Sequence, residues 1–243
     1  EARPVLLECG FLKHAEGSCL ATAGGTRVIC AASFERRVPR FLVGSGQGWV
    51  TAEYGLLPRS TLERTPRETA GMRGRTQEIR RFLGRCLRAV CDLSALGERQ
   101  IVVDCDVIDA DGGTRTLGLT GGLCALRQAV TVLLEQGEIE RDPVIEPVAA
   151  MSCGIVAGEA LVDLSYEEDA RADADMNVVL TESGRIVEVQ CAAERIPLSR
   201  AQFERLLESA AQAIGQLFPL QRTALARLAT SQRGSNPEID CPE

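Results

Sequence analysis

One stretch of the chain constrains the fold more than any other: a strand-like run that passes through two glycines into a long helical pattern. Residues 100–109 are rich in isoleucine and valine, and Asp111-Gly112-Gly113 then opens a helical pattern that continues to about Gln136. A strand that leads within a few residues into a helix is typical of α/β folds. We therefore expect helices packed on a mixed sheet.

The other segments also switch between strand and helix patterns. Strand pairs are predicted at 18–33, 149–164 and 176–192, a single strand at 49–54, and helices at 76–91 and from Ser199, which forms a capping box with Gln202. No linker divides these elements. The fold class is thus α/β, a single mixed-sheet α/β sandwich domain over residues 1–228, with a loose polar tail at 229–243.

Composition narrows the class of protein. About 45% of the 243 residues are hydrophobic, which is enough for a core, and the net charge of −7 argues against a chain that coats nucleic acid over its whole surface. The ten cysteines have no C-x-x-C spacing and sit mostly in apolar runs, so they are expected as buried, free thiols. No signal peptide, lipidation motif or membrane-spanning stretch is recognised, which predicts a cytoplasmic protein with no membrane partner.

The Gly-Gly-Thr-Arg-Thr segment at 112–116 is the first candidate for chemistry. It lies at the predicted start of a helix, where backbone N–H groups and the helix dipole favour an anion. Thr114 would add a hydroxyl donor and Arg115 a positive charge. A tight turn capped by a threonine has the same sequence, so both interpretations stay open. A Walker A loop is excluded because Lys13, the only lysine, follows no glycine loop.

Arginines are concentrated between Arg59 and Arg88, where nine arginines stand against three glutamates. The excess surrounds a proline-punctuated loop at 58–74 and reverses the sign of the net charge, as expected of a surface that binds a polyanion. Phe82 is the only aromatic residue there and falls on the predicted core face, so phosphate contact is expected rather than base stacking. A solvated loop or a subunit contact would also fit.

Acidic residues cluster before the predicted strand at 176. The cluster comprises Glu167, Glu168, Asp169, Asp173 and Asp175. Carboxylate oxygens suit Mg²⁺ or Mn²⁺, although a turn of solvated acids is the simpler interpretation of this composition. With His14 as the single histidine and no paired cysteine spacing, no thiolate or imidazole metal site is expected, and no nucleophile elbow supports a Ser-His-Asp mechanism.

Eight short motifs follow one another along nearly the whole chain. They are KHAEGS at 13–18, VPRFL at 38–42, GQGWVTAEYG at 46–55, LPRST at 57–61, GRT at 74–76, DCDV at 104–107, ADGGTRT at 110–116 and DMNVV at 175–179. Together they resemble the bacterial ribonuclease PH family. The resemblance implies the α/β fold shared with polynucleotide phosphorylase core domains and exosome ring subunits, in a homo-oligomer that is a hexameric ring of three dimers.

The resemblance also implies three groups of site residues. The phosphate ligands would be Arg75, Gly113, Thr114 and Arg115. The loop arginines that contact tRNA would be Arg59, Arg64 and Arg67, with Arg73 in addition. Asp169 and Asp175 would be the catalytic carboxylates, associated with Mg²⁺ or Mn²⁺. Gly118 stands where the family commonly has a serine, so a hydroxyl near the phosphate pocket is expected to be missing.

The implied activity is phosphorolytic 3′-to-5′ exoribonuclease action on 3′ extensions of tRNA precursors and on other RNA 3′ ends. Inorganic phosphate would be the co-substrate, and nucleoside 5′-diphosphates the products. Two alternatives remain open at this point: a catalytically silent RNA-binding ring subunit of the same fold, and a small-molecule phosphoryl-transfer enzyme that uses the same anion site. The second would not need the arginine loop.

Overall fold

The computed structural model describes residues 2–69 and 71–233, with side chains up to residue 228. The strands are β1 (Val5–Cys9), β2 (Gly17–Ala23), β3 (Thr26–Glu35), β4 (Trp49–Leu56), β5 (Gln100–Asp109), β6 (Val148–Val156), β7 (Glu159–Val162), β8 (Ala174–Thr181) and β9 (Ile186–Ala193). The helices are α1 (Gly74–Ala89), α2 (Leu93–Leu96), α3 (Thr114–Glu135), α4 (Tyr166–Asp169), α5 (Arg200–Gly215) and α6 (Leu217–Arg233), with a 3₁₀ turn at Arg40–Leu42.

The strands form two sheets, and helices pack against both of them. The first sheet has the order β1-β2-β3-β5-β4, antiparallel except for the parallel pair β4–β5, and the second has the order β7-β6-β8-β9 and is antiparallel throughout. Helices α1 and α3 pack on one face of the first sheet. The predicted mixed α/β sandwich is confirmed.

Helix α3 is the element shared by both sheets. It contacts β2, β3 and β5 of the first sheet and β6 of the second, and 16 of its 22 residues are buried. By length and composition it could cross a membrane, a property that was not recognised from the sequence, but 78% of the apolar window is buried inside the protein. Burial on this scale is typical of a core helix.

The second sheet is covered on both faces. Strand β6 is buried at eight of its nine positions, because α3 packs on one face and α5 on the other. Such a strand has a continuous apolar sequence rather than an alternating one. The core is therefore continuous from the first sheet through α3, while a second apolar cluster fills the space between this sheet and α5.

The C-terminal part departs from the prediction. The capping box of Ser199 and Gln202 is present at the start of α5, but α5 ends at Gly215 and a further helix, α6, follows. The backbone of 229–233 belongs to α6, where a loose tail was expected, and 234–243 lie outside the described residues. Strand β1 was also missed, since its five residues alone carry no clear alternation.

Candidate active site

A cleft of about 680 Å³ opens between the two sheets at the N-terminal end of α3. It brings together all of the predicted phosphate ligands and both predicted catalytic carboxylates. These are Arg75, Gly113, Thr114, Arg115, Asp169 and Asp175. They come from α1, the β5–α3 join, α4 and β8, so residues separated by as many as a hundred positions share one concave surface.

The join between β5 and α3 is shaped for an anion. Gly112 and Gly113 have φ values of 76° and 63°, and a Cβ on Gly112 would lie 2.1 Å from the Leu164 carbonyl oxygen, so glycine is required there. No side chain caps α3 and no acidic residue occupies its first turn. The first backbone N–H groups of a 22-residue helix therefore point into the cleft without a side-chain cap.

A buried hydrogen bond orients the Thr114 hydroxyl. The Tyr54 phenol and Thr114 Oγ1 lie 2.8 Å apart. Burial raises the pKa of Tyr54, although the charges of Arg75 and Arg115 oppose the shift. A protonated Tyr54 can donate to Thr114, which leaves the threonine proton available for an anion. Tyr54 was not predicted as a site residue, because only the tertiary fold brings β4 against the start of α3.

Two side chains hold Arg115 in place. Its Nη1 donates to Glu78 Oε1 at 2.9 Å and to Gln190 Oε1 at 2.9 Å, and Gln190 Nε2 donates to Glu78 Oε1 at 3.2 Å. The Arg115 side chain is only 17% exposed. Arg75, by contrast, is exposed on the first turn of α1 and reaches the cleft from its rim. One guanidinium is thus fixed and the other is free to adjust.

The acidic wall lies in the second half of the chain. Asp175 belongs to strand β8 rather than to an acidic turn, and Asp169 ends α4, which starts with a capping box of Ser165 and Glu168. Burial raises the pKa of Asp175, and the neighbouring charges of Asp169 and Glu194 add to the shift while Arg115 opposes it. Burial and the neighbouring carboxylates therefore both disfavour the charged form of Asp175.

The oxygen donors here fit a hard divalent cation. Asp169 and Asp175 both line the cleft, and the pKa of Asp175 is raised first by burial and then by the neighbouring carboxylates, whose negative charge a cation would compensate. Among the described residues, the carboxylate oxygens of Asp169, Asp175 and Glu194 do not all lie within 4.8 Å of one another, so Glu194 is not a third ligand in this arrangement. Mg²⁺ commonly uses one or two carboxylates together with waters and substrate phosphates, so two protein ligands suffice.

Several residues that line the cleft were not predicted from the sequence. Ser152 and Asn177 pair across β6 and β8, both are 9% exposed, and Ser152 Oγ is buried without a hydrogen-bond partner among the described residues. Glu194 and Arg195 follow β9 and also line the cleft. A strand serine in an apolar run carries no local signal, and only the pairing of strands β6, β8 and β9 reveals this wall.

Arg3 holds the glycine loop, which consists of Asp111, Gly112 and Gly113, in place. The Arg3 guanidinium donates to Asp163 at 2.7 and 2.8 Å and also to the Asp111 carbonyl oxygen. Gly113 lies beside this ion pair, with Arg3 Nη2 3.5 Å from the position of a Cβ. Asp163 itself has a φ of 58°, which is uncommon outside glycine and is held by these bonds.

The predicted RNA-binding arginines lie outside the cleft, on the loop between β4 and α1. Arg59, Arg64, Arg67 and Arg73 are all exposed. The loop is anchored beside the cleft, because the Ala110 amide donates to the Ser60 carbonyl at 2.8 Å and Thr61 lines the cleft. Its arginines therefore extend from the rim of the site.

Three arginines of α1 have structural partners instead. Arg80 pairs with Glu53, Arg85 pairs with Glu188, and Arg88 donates to the Val50 carbonyl at 2.7 Å while lying 4.1 Å from the centroid of the Trp49 ring. Part of the arginine excess thus packs α1 on β4 and β9.

Gly118 does not face the cleft. A Cβ there would point at Cys105 and Val28, 3.7 to 3.9 Å away, in the core between α3 and the first sheet. The expectation of a missing hydroxyl near the phosphate pocket was wrong for this reason. A residue four positions after Thr114 lies one turn deeper in the helix and cannot reach the anion site.

Known proteins match the chain over most of its length. The model of the 3′ exoribonuclease family, domain 1, matches residues 1–131, and that of domain 2 matches 146–213. Ribonuclease PH of Roseobacter denitrificans is 54% identical over 228 residues, covering 93% of this chain and 96% of the relative. Ribonuclease PH of Maricaulis maris is 54% identical over 225 residues, covering 92% and 94%.

Solved structures share the fold. An Archaeoglobus fulgidus exosome with RNA bound to the active site matches with a TM-score of 0.76 and 22% identity, covering 90% of this chain and 88% of that chain. An archaeal exosome core matches with a TM-score of 0.73 and 22% identity, covering 91% and 87%. At these identities the likeness concerns the fold alone.

Proposed function

The chain belongs to the ribonuclease PH family of 3′ exoribonucleases and is a phosphorolytic 3′-to-5′ exoribonuclease with inorganic phosphate as co-substrate; on that premise we propose how its cleft works and which RNA it trims. An oxygen of inorganic phosphate attacks the last phosphorus atom of the RNA. The bond between that phosphorus and the 3′ oxygen breaks, so a nucleoside 5′-diphosphate leaves and the shortened RNA regains a 3′ hydroxyl.

We assign the phosphate to the start of α3. The amides of Gly113 and Thr114, the Thr114 hydroxyl and the guanidinium of Arg115 form a fixed group of donors, and Arg75 closes on the anion from the rim. The main obstacle in this reaction is the mutual repulsion of two phosphate groups. Preorganised donors offset it, and one well-aimed donor is worth about 3 kcal/mol of transition-state stabilisation in comparable sites.

Asp169 and Asp175 act on the opposite side of the scissile bond. They are the protein ligands we propose for Mg²⁺ or Mn²⁺, and a bound cation would supply positive charge near the leaving 3′ oxygen. The alternative role for Asp175, when no cation is bound to it, is that of a general acid for this oxygen, since a carboxyl with a raised pKa retains a proton at a higher pH than an ordinary aspartate.

The arginine loop suits structured RNA. Arg59, Arg64, Arg67 and Arg73 extend from the rim of the cleft and would contact backbone phosphates away from the 3′ end. We therefore propose tRNA precursors with 3′ extensions as substrates in the cytoplasm, and a ring-shaped homo-oligomer, a hexamer of three dimers, as the working form. Light scattering that gives a monomer mass at micromolar concentration would count against the ring.

A catalytically silent ring subunit is not favoured. The observation that carries the active enzyme is the convergence of Arg75, Arg115 and the α3 amides with Asp175 in one cleft. A subunit that only bound RNA would not need an anion site opposite a carboxylate wall. A small-molecule phosphoryl-transfer enzyme is not favoured either, because it would not need the exposed loop arginines beside the cleft.

The direct test uses a tRNA with a 3′ extension, with and without inorganic phosphate. Phosphorolysis predicts nucleoside diphosphates in phosphate buffer and no shortening without phosphate. Nucleoside monophosphates in phosphate-free buffer would contradict the assignment. A short unstructured oligonucleotide, run alongside, separates the chemistry of the cleft from recognition by the loop.

A further inference from the structure

Three cysteine side chains from three elements meet between the first sheet and α3, away from the cleft. They are Cys9 of β1, Cys19 of β2 and Cys124 of α3, and their Sγ atoms all lie within 4.8 Å of one another. Cys19 and Cys124 are fully buried, whereas Cys9 is partly exposed. No thiolate site was expected from the sequence, because the cysteines show no paired spacing.

Backbone geometry fixes this cluster. Cys9 and Cys19 are direct partners in the antiparallel pair β1–β2, so both side chains point to the same face. Gly17 and Gly121 let β2 approach α3 closely: a Cβ on Gly17 would lie 1.9 Å from the Ala125 carbonyl oxygen, and one on Gly121 2.8 Å from Ala21 Cβ. Cys124, one turn after Gly121, is thereby held against Cys19.

Neighbouring cysteines in the same row are arranged differently. Cys19 is paired with Cys30 across β2–β3, and Cys30 with Cys105 across β3–β5, so the row of thiols crosses four strands. The thiols of Cys30 and Cys105 both donate to the Gly118 carbonyl oxygen at 3.5 Å. These two thiols are thus engaged with the α3 backbone. Among the described residues, three potential metal ligands come together only at the β1 end of the row.

The spacing suits a thiophilic cation. Zn–S bonds of about 2.3 Å place the sulfurs of one site about 3.8 to 4.0 Å apart in tetrahedral or trigonal geometry. Sulfurs that already lie within 4.8 Å need to contract by less than about 1 Å, which side-chain rotation can supply. Thiolates prefer soft or borderline ions over Mg²⁺, so this site and the carboxylates of the cleft would not compete for one metal.

We propose that Cys9, Cys19 and Cys124 form a three-thiolate site for one soft cation of the Zn²⁺ or Cu⁺ class, entered past the partly exposed Cys9. Binding replaces the three thiol protons, which are released to solvent, with three metal–sulfur bonds. The ion would tie the edge strand β1 to β2 and α3. Because β1 follows Arg3, which braces the glycine loop, the site would stabilise the N-terminal part of the fold without touching substrate.

The test titrates the reduced, metal-stripped full chain with Cd²⁺ and follows the ultraviolet thiolate-to-cadmium charge-transfer band. We expect saturation at one equivalent and a higher Tm for the loaded protein. Cys9→Ala and Cys124→Ala should each weaken binding by about 100-fold or more, because only two of the three thiolates remain. Cys105→Ala removes an equally buried thiol of the same row and should bind as the wild type does.

Three results would overturn the site. The first is a wild-type protein without a saturable band. The second is equal binding by the wild type and both Cys9→Ala and Cys124→Ala. The third is a Cys9–Cys19 disulfide, found by mass spectrometry of the unreduced protein, in a protein that binds no Cd²⁺ after reduction. The disulfide would then explain why the two cysteines lie opposite each other. Because Cys9 is partly exposed, Cys9→Ala remains informative even if Cys124→Ala fails to fold.

Discussion

The two walls of the cleft come from different halves of the chain and carry opposite charge. The wall formed by residues 54–115 presents amides and the guanidinium groups of Arg75 and Arg115, while the wall formed by residues 152–195 presents Asp169 and Asp175, with Arg195 as its cation among the described lining residues. The first wall suits the incoming phosphate, and the second suits the departing 3′ oxygen. In the proposed mechanism neither half of the chain contains both functions, so the reaction requires the two halves to be assembled together.

The largest expected effect comes from the acidic wall. Asp175→Asn should reduce kcat by about 1,000-fold or more while RNA affinity stays within about twofold, because in the proposed mechanism the carboxylate serves chemistry rather than binding. Asp173→Asn, two residues away and outside the cleft, is the matched control and should retain activity. Single-turnover kinetics with a parallel binding assay measures both quantities. Normal turnover in folded Asp175→Asn would remove this residue from the mechanism.

On the cationic wall, Arg75→Ala should raise KM for phosphate or lower kcat by about 100-fold, even on a short oligonucleotide, with little change in RNA binding. Arg81 lies on the same helix, is exposed and is not among the residues that line the cleft, so Arg81→Ala should behave as the wild type does. Phosphate titrations of both variants provide the measurement. An RNA-binding defect without a phosphate defect would place Arg75 with the loop.

The loop arginines should affect recognition instead. Replacing Arg59, Arg64 and Arg67 by Ala should weaken binding of structured tRNA and flatten its salt dependence, by a slope of about 0.7 to 0.9 for every RNA phosphate that the protein no longer neutralises. Short oligonucleotides should be trimmed almost normally, because they do not reach the loop. Salt titrations of tRNA affinity test this. Identical defects in this variant and in Arg75→Ala would contradict separate roles for the loop in RNA recognition and for Arg75 in phosphate binding.

A smaller effect is expected where the two halves touch behind Arg115. Gln190→Ala removes an acceptor that holds the guanidinium at 2.9 Å and should raise KM for phosphate about fivefold, equivalent to about 1 kcal/mol, with a smaller change in kcat. Glu182→Gln, which breaks a surface pair with Arg222, is the control. If KM is unchanged in Gln190→Ala, the remaining bond to Glu78 suffices to position Arg115.

The smallest effect concerns stability. The folded state raises the pKa of Asp175, so protonation of this carboxyl favours folding, and that contribution disappears as pH rises through the raised pKa. In metal-free buffer at pH 7, Asp175→Asn should therefore melt slightly above the wild type. The difference should vanish as pH falls below the ordinary aspartate pKa of about 3.9. Calorimetry across this range tests the prediction, and a lower Tm for the variant at pH 7 would contradict a raised pKa of Asp175.

Local patterns predicted the first wall better than the second. The turn of Gly112 and Gly113 before a helical pattern depends on neighbours within a few residues, so the sequence reveals it. Ser152 and Glu194 become site residues only through the pairing of distant strands, and the thiol cluster depends on the approach of β2 to α3. The motif resemblance located Asp175, but its position within β8 required the fold.

Helix α3 makes the proposed phosphate site dependent on both halves of the chain. Its buried surface is divided between two sheets that are separate in the chain, so neither sheet can bury the helix alone. A chain arrested after residue 140 would expose the face of α3 that β6 normally covers, and its N-terminal turn would lack a fixed orientation. Phosphate affinity should therefore report completed folding: a nascent or truncated chain would neither sequester phosphate nor damage RNA before both halves have closed on the helix.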